Sequence, residues 1–242
     1  MISIVIPAYN EESRIGESLL KIKSYFDAQG VDYEIILVDD GSTDNTRQVS
    51  EDFKMKIKNF KIISYPVNNG KGYALRQGVL DSSGDAVLLT DADLSTPIEE
   101  LDRLRPLISD QQHDVVIGSR ALEASNIIKK QPWWRQGMGK IFNKIVKILV
   151  LDDFDDTQCG FKLFSGNVAR RLFKNARINR FAYDVEILTM AKERGCRIVE
   201  VPVKWINSPA SKVNPIFDSM QMLFDLIKIR MRMGKGKRAD RS

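Results

Sequence analysis

The chain has 242 residues, 43% of them hydrophobic and 29% charged, which is the composition of a soluble globular protein with room for one large core. Two cysteines, Cys159 and Cys196, make no disulfide framework, so a reducing compartment is expected. The net charge of +5 is uneven: seven Lys/Arg against one Asp between Lys228 and Ser242 give +6, so the rest of the chain sums to −1.

Taken in order, Ile2-Ser3-Ile4-Val5-Ile6 predicts a first strand, stopped by Pro7 and too short for a secretory leader. Asn10 is a candidate cap for a helix running to about Ala28. Tyr33 to Val38 predicts a second strand ending at Asp39-Asp40-Gly41-Ser42, with a helix from about Thr43. Phe60 to Tyr65 predicts a third strand, and Asn69-Gly70-Lys71-Gly72 opens a helix to about Leu80. Ala86 to Thr90 is an apolar run ending in Asp91-Ala92-Asp93, the pattern of a buried parallel strand. Thr96-Pro97-Ile98-Glu99 has the form of a capping box with Pro at the first helical position. Val115 to Gly118 predicts a fifth strand, ending in Ser119-Arg120.

Strands alternating with helices imply an α/β fold with a mostly parallel sheet and right-handed crossovers. Such sheets bind ligands beyond the carboxyl ends of their strands. Four polar clusters fall there: Pro7-Ala8-Tyr9-Asn10-Glu11, Asp39-Asp40-Gly41-Ser42, Asp91-Ala92-Asp93 and Gly118-Ser119-Arg120. They should converge on one edge. Asp-x-Asp offers only oxygen, which suits Mg²⁺ or Mn²⁺ and disfavours zinc. No Gly-x-Gly-x-x-Gly follows the first strand and no Walker loop occurs, which argues against NAD and P-loop chemistry.

Beyond residue 120 the pattern changes. Lys129 to Val150 carries six Lys/Arg and no acid, with Trp133, Trp134, Met138, Ile141, Phe142, Ile145, Val146 and Leu149 at roughly helical spacing. An interface-lying helix and an ordinary core helix both fit, and the Trp pair beside Arg135 favours the interface. Asp155-Asp156-Thr157-Gln158-Cys159-Gly160 precedes Phe161-Lys162-Leu163-Phe164, which alternates like a strand. Phe181-Ala182-Tyr183-Asp184-Val185-Glu186 opens a helix, and Arg197 to Val203 predicts a late strand. A second amphipathic helix is expected from about Ile216 to Met233, with Phe217, Met220, Leu223, Phe224, Ile227 and Met231 on one side. It leads into the basic tail, which suggests an anionic membrane surface or nucleic acid. No stretch approaches the ~20 apolar residues of a spanning helix.

Val5-Ile6-Pro7-Ala8-Tyr9-Asn10-Glu11-Glu12, Val38-Asp39-Asp40-Gly41-Ser42-Thr43-Asp44, Asn69-Gly70-Lys71-Gly72, Asp91-Ala92-Asp93 and Gly118-Ser119-Arg120 resemble family 2 glycosyltransferases of the GT-A fold, over roughly residues 1–215. Asp156 to Phe164, Trp205 and Ser211-Lys212-Val213 are similar to the dolichyl-phosphate β-glucosyltransferases within that family. The related mannosyltransferases carry a longer loop before the Ser-Lys pair, with an arginine this chain lacks.

The resemblance implies a Rossmann-like GT-A domain over 1–215, with a donor half to about 120 and an acceptor half from 121, followed by an amphipathic helix and basic tail over 216–242. It implies a nucleotide-sugar donor, UDP-glucose or alternatively GDP-mannose, and a polyprenyl-phosphate acceptor. Pro7, Ala8, Tyr9, Glu11 and one or both of Asp39 and Asp40 would hold the nucleoside, Ala92 would line the donor site, and Asp91 and Asp93 would hold Mg²⁺ or Mn²⁺ on the diphosphate. Arg120, Arg135 and Lys212 would contact phosphates, and Lys71 would add positive charge. Many metal-binding relatives have glutamine where this chain has Ser95, leaving that ligand to water.

The implied reaction is an inverting, metal-dependent transfer with Asp93 and Arg120 in the machinery and, if a base is used at all, Asp184 or Glu186 as the candidates. The implied site of action is the cytoplasmic face of a membrane, peripherally, with a membrane surface rather than nucleic acid as partner and the need for a membrane subunit open. Two other readings stay open: transfer to a glycan hydroxyl, which would require a carboxylate base, and a nucleotide-sugar-binding scaffold without turnover.

Overall fold

The structure, a computed structural model, describes residues 1–129, 133–207 and 217–239. Seven strands form one sheet: β1 (Ile2–Ala8), β2 (Tyr33–Asp40), β3 (Phe60–Tyr65), β4 (Ala86–Leu89), β5 (Val115–Ser119), β7 (Lys162–Ser165) and β8 (Ile198–Pro202), in the order β3-β2-β1-β4-β7-β5-β8. β6 (Asn126–Lys129) and β9 (Lys204–Ile206) pair separately in parallel. The predicted first five strands are all present, parallel where they pair with one another.

β7 runs the other way. It is wedged antiparallel between β4 and β5, with Leu163 opposite Leu88 on one side and Val116 on the other. Alternation within each strand splits the apolar side chains between two faces. Val5, Val87, Leu89, Val115, Ile117 and Phe164 face one core; Ile4, Ile6, Leu88, Val116 and Leu163 face the other. Both faces are buried, which explains why these strands read as continuous apolar runs.

The first core is covered by α3 (Lys71–Leu80), α5 (Trp133–Leu149), α6 (Gly166–Asn175), α7 (Tyr183–Glu193) and α8 (Phe217–Ala239), through side chains such as Leu75, Val146, Phe173, Leu188 and Leu226. The second is covered by α1 (Ile15–Gln29) and α4 (Leu101–Ser109), through Ile15, Leu19, Ile22, Phe26, Leu101 and Leu104. α2 (Thr46–Glu51) is a short helix after β2.

Two expected helix starts differ. α1 begins at Ile15, because Asn10 is not a cap: its backbone is left-handed at φ 55°, and its side-chain carbonyl accepts the Thr43 N–H at 2.8 Å. The Thr96–Glu99 capping box does not form either. Thr96 is buried beside Cys159, and a short 3₁₀ turn at Ile98–Glu100 leads into α4 with no side-chain cap.

Candidate active site

The four polar clusters meet at the carboxyl edge of the parallel strands, tied to one another by hydrogen bonds. After β1 and β2, the Asn10 N–H donates to Ser42 Oγ at 2.9 Å, the Glu11 N–H to Thr46 Oγ1 at 2.7 Å, and the Asn45 N–H to Glu12 Oε2 at 2.9 Å. Arg14, held by Glu11 Oε2 at 2.7 Å, reaches across to Asp93 Oδ2 at 3.3 Å and so joins the β1 loop to the β4 loop. Pro7, Tyr9 and Glu11 are half-buried along this edge, and Ala8 and Ala92 are buried behind it.

Asp39 and Asp40 end β2 and are both buried. Asp39 accepts the Ser42 N–H and the Ser64 hydroxyl at 3.1 Å each. Asp40 accepts the N–H groups of Asn69 at 2.9 Å and Gly70 at 2.7 Å, fixing the entry to α3. Burial pushes the Asp40 carboxyl above its ordinary range, against those two amides. Gly70 takes φ 103°, and a Cβ there would fall 2.6 Å from the Asn179 carbonyl oxygen, so the turn needs glycine.

That turn delivers Lys71, whose Nζ donates to Asp91 Oδ1 at 2.6 Å. Asp91 and Asp93 leave β4 on a tight turn in which Leu94 is left-handed at φ 45° and the Ser95 N–H donates to Asp93 Oδ1 at 3.0 Å. A leucine in that conformation carries about 1–3 kcal/mol of strain, the kind stored where a surrounding framework dictates geometry. Burial pushes the Asp91 carboxyl up, but Lys71, backed by Lys162 and Arg120, outweighs it and holds the group below its usual range. The backbone of Gly160 lies flush against this carboxylate; a Cβ there would fall 2.7 Å from Asp91 Cγ.

Two carboxylates at the sheet edge, both partly exposed, are hard oxygen donors that fit a divalent cation. No group of three or more His, Cys, Asp or Glu gathers into a cage among the described residues. A divalent ion held there by two carboxylates would take its remaining ligands from water and substrate oxygens.

Arg120 follows β5 and is locked by Asp156, a residue the sequence reading did not single out as functional. Asp156 Oδ2 accepts from Arg120 Nε at 2.7 Å and from its backbone N–H at 2.9 Å, while Oδ1 accepts from Nη2 at 2.8 Å. Glu200 on β8 holds the Asp155 and Asp156 N–H groups at 2.8 Å each, and the Arg120 guanidinium lies 5.5 Å from the Trp205 ring centre. Asp156 is 2% exposed and Arg120 29%, so one edge of the fork is occupied and the guanidinium still meets solvent.

Asp184, at the start of α7, is 5% exposed and ion-paired to Lys162, which is itself only 1% exposed and also donates to the Cys159 carbonyl. Burial pushes the Asp184 carboxyl up against the pull of Lys162 and Lys71. Lys162, Asp156 and Arg14 are the site residues that sequence reasoning missed. Lys162 carried a signal, a lone charge inside the apolar alternation of β7. Lys212 and the Ser211-Lys212-Val213 pattern lie outside the described residues, as does the side chain of Arg135 on α5.

The profile described as Glycosyl transferase family 2 matches residues 3–173. A dolichyl-phosphate beta-glucosyltransferase of Dictyostelium discoideum is 36% identical over 243 residues, covering 96% of this chain and 74% of that protein. A dolichyl-phosphate beta-glucosyltransferase of Homo sapiens is 34% identical over 243 residues, covering 96% and 75%. Among solved structures, glucosyl-3-phosphoglycerate synthase of Mycobacterium tuberculosis, in complex with Mn²⁺, UDP-glucose and phosphoglyceric acid, superposes with a TM-score of 0.70 at 21% identity, covering 95% of this chain and 79% of that one.

Proposed function

The chain belongs to glycosyl transferase family 2, and on that premise we propose that it moves glucose from UDP-glucose to a polyprenyl phosphate of the dolichyl class, with inversion at the anomeric carbon. The observation that carries this reading is the convergence of Asp91, Asp93, Lys71 and Arg120 on one sheet edge, in a chain whose curated relatives bear that activity in their names.

In this reading the β1 and β2 loops, with Pro7, Ala8, Tyr9, Glu11 and Asp39, cradle the nucleoside. Asp40 acts one step back, aiming the turn that carries Lys71. Asp91 and Asp93 would hold Mg²⁺ or Mn²⁺, which when bound supplies Lewis-acid stabilisation of the diphosphate leaving group. Lys71 adds a positive charge beside the same leaving group. Arg120 presents the open side of its fork to the acceptor phosphate, matching phosphate geometry as lysine cannot. An acceptor phosphate oxygen forms a bond to the anomeric carbon from the face opposite the diphosphate, as the bond to the diphosphate oxygen breaks and UDP departs. The half from about 121 to 215 would present the acceptor.

No base is required. A phosphate monoester has a second pKa of ~6 and is already an oxyanion at neutral pH, whereas a hydroxyl must lose a proton in the transition state. The engagement of Asp184 by Lys162, with both side chains almost wholly buried, supports this choice over the glycan-hydroxyl alternative. The test offers labelled UDP-glucose with either a short polyprenyl phosphate or the matching polyprenol. Label entering the lipid only with the phosphate is the expected result. Transfer to the alcohol, abolished by Asp184→Asn while donor hydrolysis continues, would replace it with the base-catalysed reading.

A further inference from the structure

α8 carries two faces of different character. Met222, Leu226 and Ile229 are buried in the first core, and both acids of its described turns, Asp218 and Asp225, are buried with them. Phe217, Met220, Leu223, Phe224, Ile227 and Met231 are 40–65% exposed. At about 100° per residue these six fall in one arc of roughly 120°, opposite the buried face. Lys228 and Arg232 follow one margin of that arc and Arg230 the other. Arg232 also reaches Glu186 on α7 at 2.8 Å, a contact between helices that fixes the rotation of α8 about its axis, while Lys228 pairs with Asp225 of its own helix at 2.7 Å. Ile148, at the end of the neighbouring α5, is 71% exposed.

Six large apolar side chains in one uninterrupted arc are more than the scattered exposure usual on a soluble surface. A protein partner and a lipid surface would both bury them, but the charge pattern discriminates. Acids are withdrawn from the exposed side and bases border it on both margins, continuing into the Lys/Arg-rich end of the chain. That is the arrangement a bilayer with anionic headgroups selects: apolar side chains enter the acyl boundary while flanking bases reach the phosphates. No helix is long and apolar enough to cross a membrane among the described residues, so the geometry suits lying on the surface rather than spanning it.

We propose that the outward face of α8, from Phe217 to Met231, seats on an anionic lipid bilayer with the helix axis in the plane of the membrane. The surface is independent of the sugar-transfer reading, and its test contains neither donor nor lipid phosphate acceptor.

The full chain is sedimented with phosphatidylcholine vesicles, with or without phosphatidylserine. The wild type is expected to pellet with the mixed vesicles, less with the neutral ones, and less again as salt screens the basic margins. Phe217→Ser with Phe224→Ser should lower partitioning by roughly tenfold or more, because two aromatic side chains no longer enter the acyl region. Met220→Ser with Met231→Ser should act in the same direction. Met55→Ser, which removes a 96% exposed side chain elsewhere, should change nothing. Thermal melts of all variants should match the wild type, since none of these side chains packs in a core. Equal pelleting of the α8 variants and the wild type would overturn the proposal, as would no binding to either vesicle. So would a wild-type dimer that the α8 substitutions dissociate without any effect on vesicle binding.

Discussion

Replacing Asp156 with asparagine keeps the side-chain shape but removes the charge that holds Arg120. Asp156 accepts two hydrogen bonds from the guanidinium and one from the Arg120 backbone, and it is almost wholly buried. Breaking a fully buried pair costs about 3–5 kcal/mol, and the partial exposure of Arg120 lowers that to about 2–3 kcal/mol. For a chain of this size the loss corresponds to a fall in Tm of about 5–10 °C, measurable by circular dichroism.

The acid dependence follows from the same pair. Burial pushes the Asp156 carboxyl up, but Arg120 outweighs it and holds the folded-state pKa below its ordinary value. Its contribution is therefore fully present above the unfolded pKa of ~3.9 and fades as pH falls towards the lower folded value. Asp156→Asn should lack that share of the stability lost below about pH 4. In turnover assays the loosened fork should raise KM for the polyprenyl phosphate more than it lowers kcat. A variant melting within about 1 °C of the wild type, with unchanged acceptor KM, would refute the claim that Asp156 sets the geometry of Arg120.

Three other substitutions probe separate parts of the site. Lys162→Met should strand the buried Asp184 charge and destabilise the fold by about 3–5 kcal/mol in urea titrations, with part of the loss recovered in a Lys162→Met, Asp184→Leu double variant. Gly160→Ala drives a methyl into the Asp91 carboxylate; turnover should fall at least ~10²-fold, since a shift of about 1 Å at a reacting centre has that effect, while the Tm changes little. Asp93→Asn should remove the dependence of donor binding on Mn²⁺ in calorimetry and lower turnover by ~10²-fold or more, while the melting temperature stays within a few degrees, about what loss of one long, partly exposed ion pair to Arg14 allows.

Much of this architecture was legible. The strands β1, β2, β4 and β5 announce themselves because both sheet faces are buried there, the edge strand β3 is only partly buried but keeps the apolar pair Ile62-Ile63, and each run stops at a Pro, Gly or Asp cluster. The convergence of those clusters followed from parallel topology alone. The direction of β7 did not, because Phe161-Lys162-Leu163-Phe164 alternates identically whether the strand runs parallel or antiparallel. Asn10 and Thr96 misled for one reason: each has the chemistry of a cap, yet a tertiary partner claims it, the Thr43 amide in one case and the buried surroundings of Cys159 in the other. α6, β6 and β9 were not foreseen; the two short strands pair only with each other, across many residues of chain. The pairing of Arg120 with Asp156 links residues 36 apart, and no local pattern encodes it. On α8, the stripe read from helical spacing is exposed, as its run into the basic tail suggested, and the opposite face, which was not singled out, carries the core contacts Met222, Leu226 and Ile229.

The central claim is tested most directly by incubating the purified chain with Mg²⁺, a short polyprenyl phosphate and either UDP-glucose or GDP-mannose, and analysing the lipid phase by mass spectrometry. The account predicts a lipid-phosphate-linked glucose from UDP-glucose, absent in Asp93→Asn. A product from GDP-mannose alone would contradict the donor assignment, and no lipid-linked sugar from either donor, despite donor binding, would contradict the reaction itself.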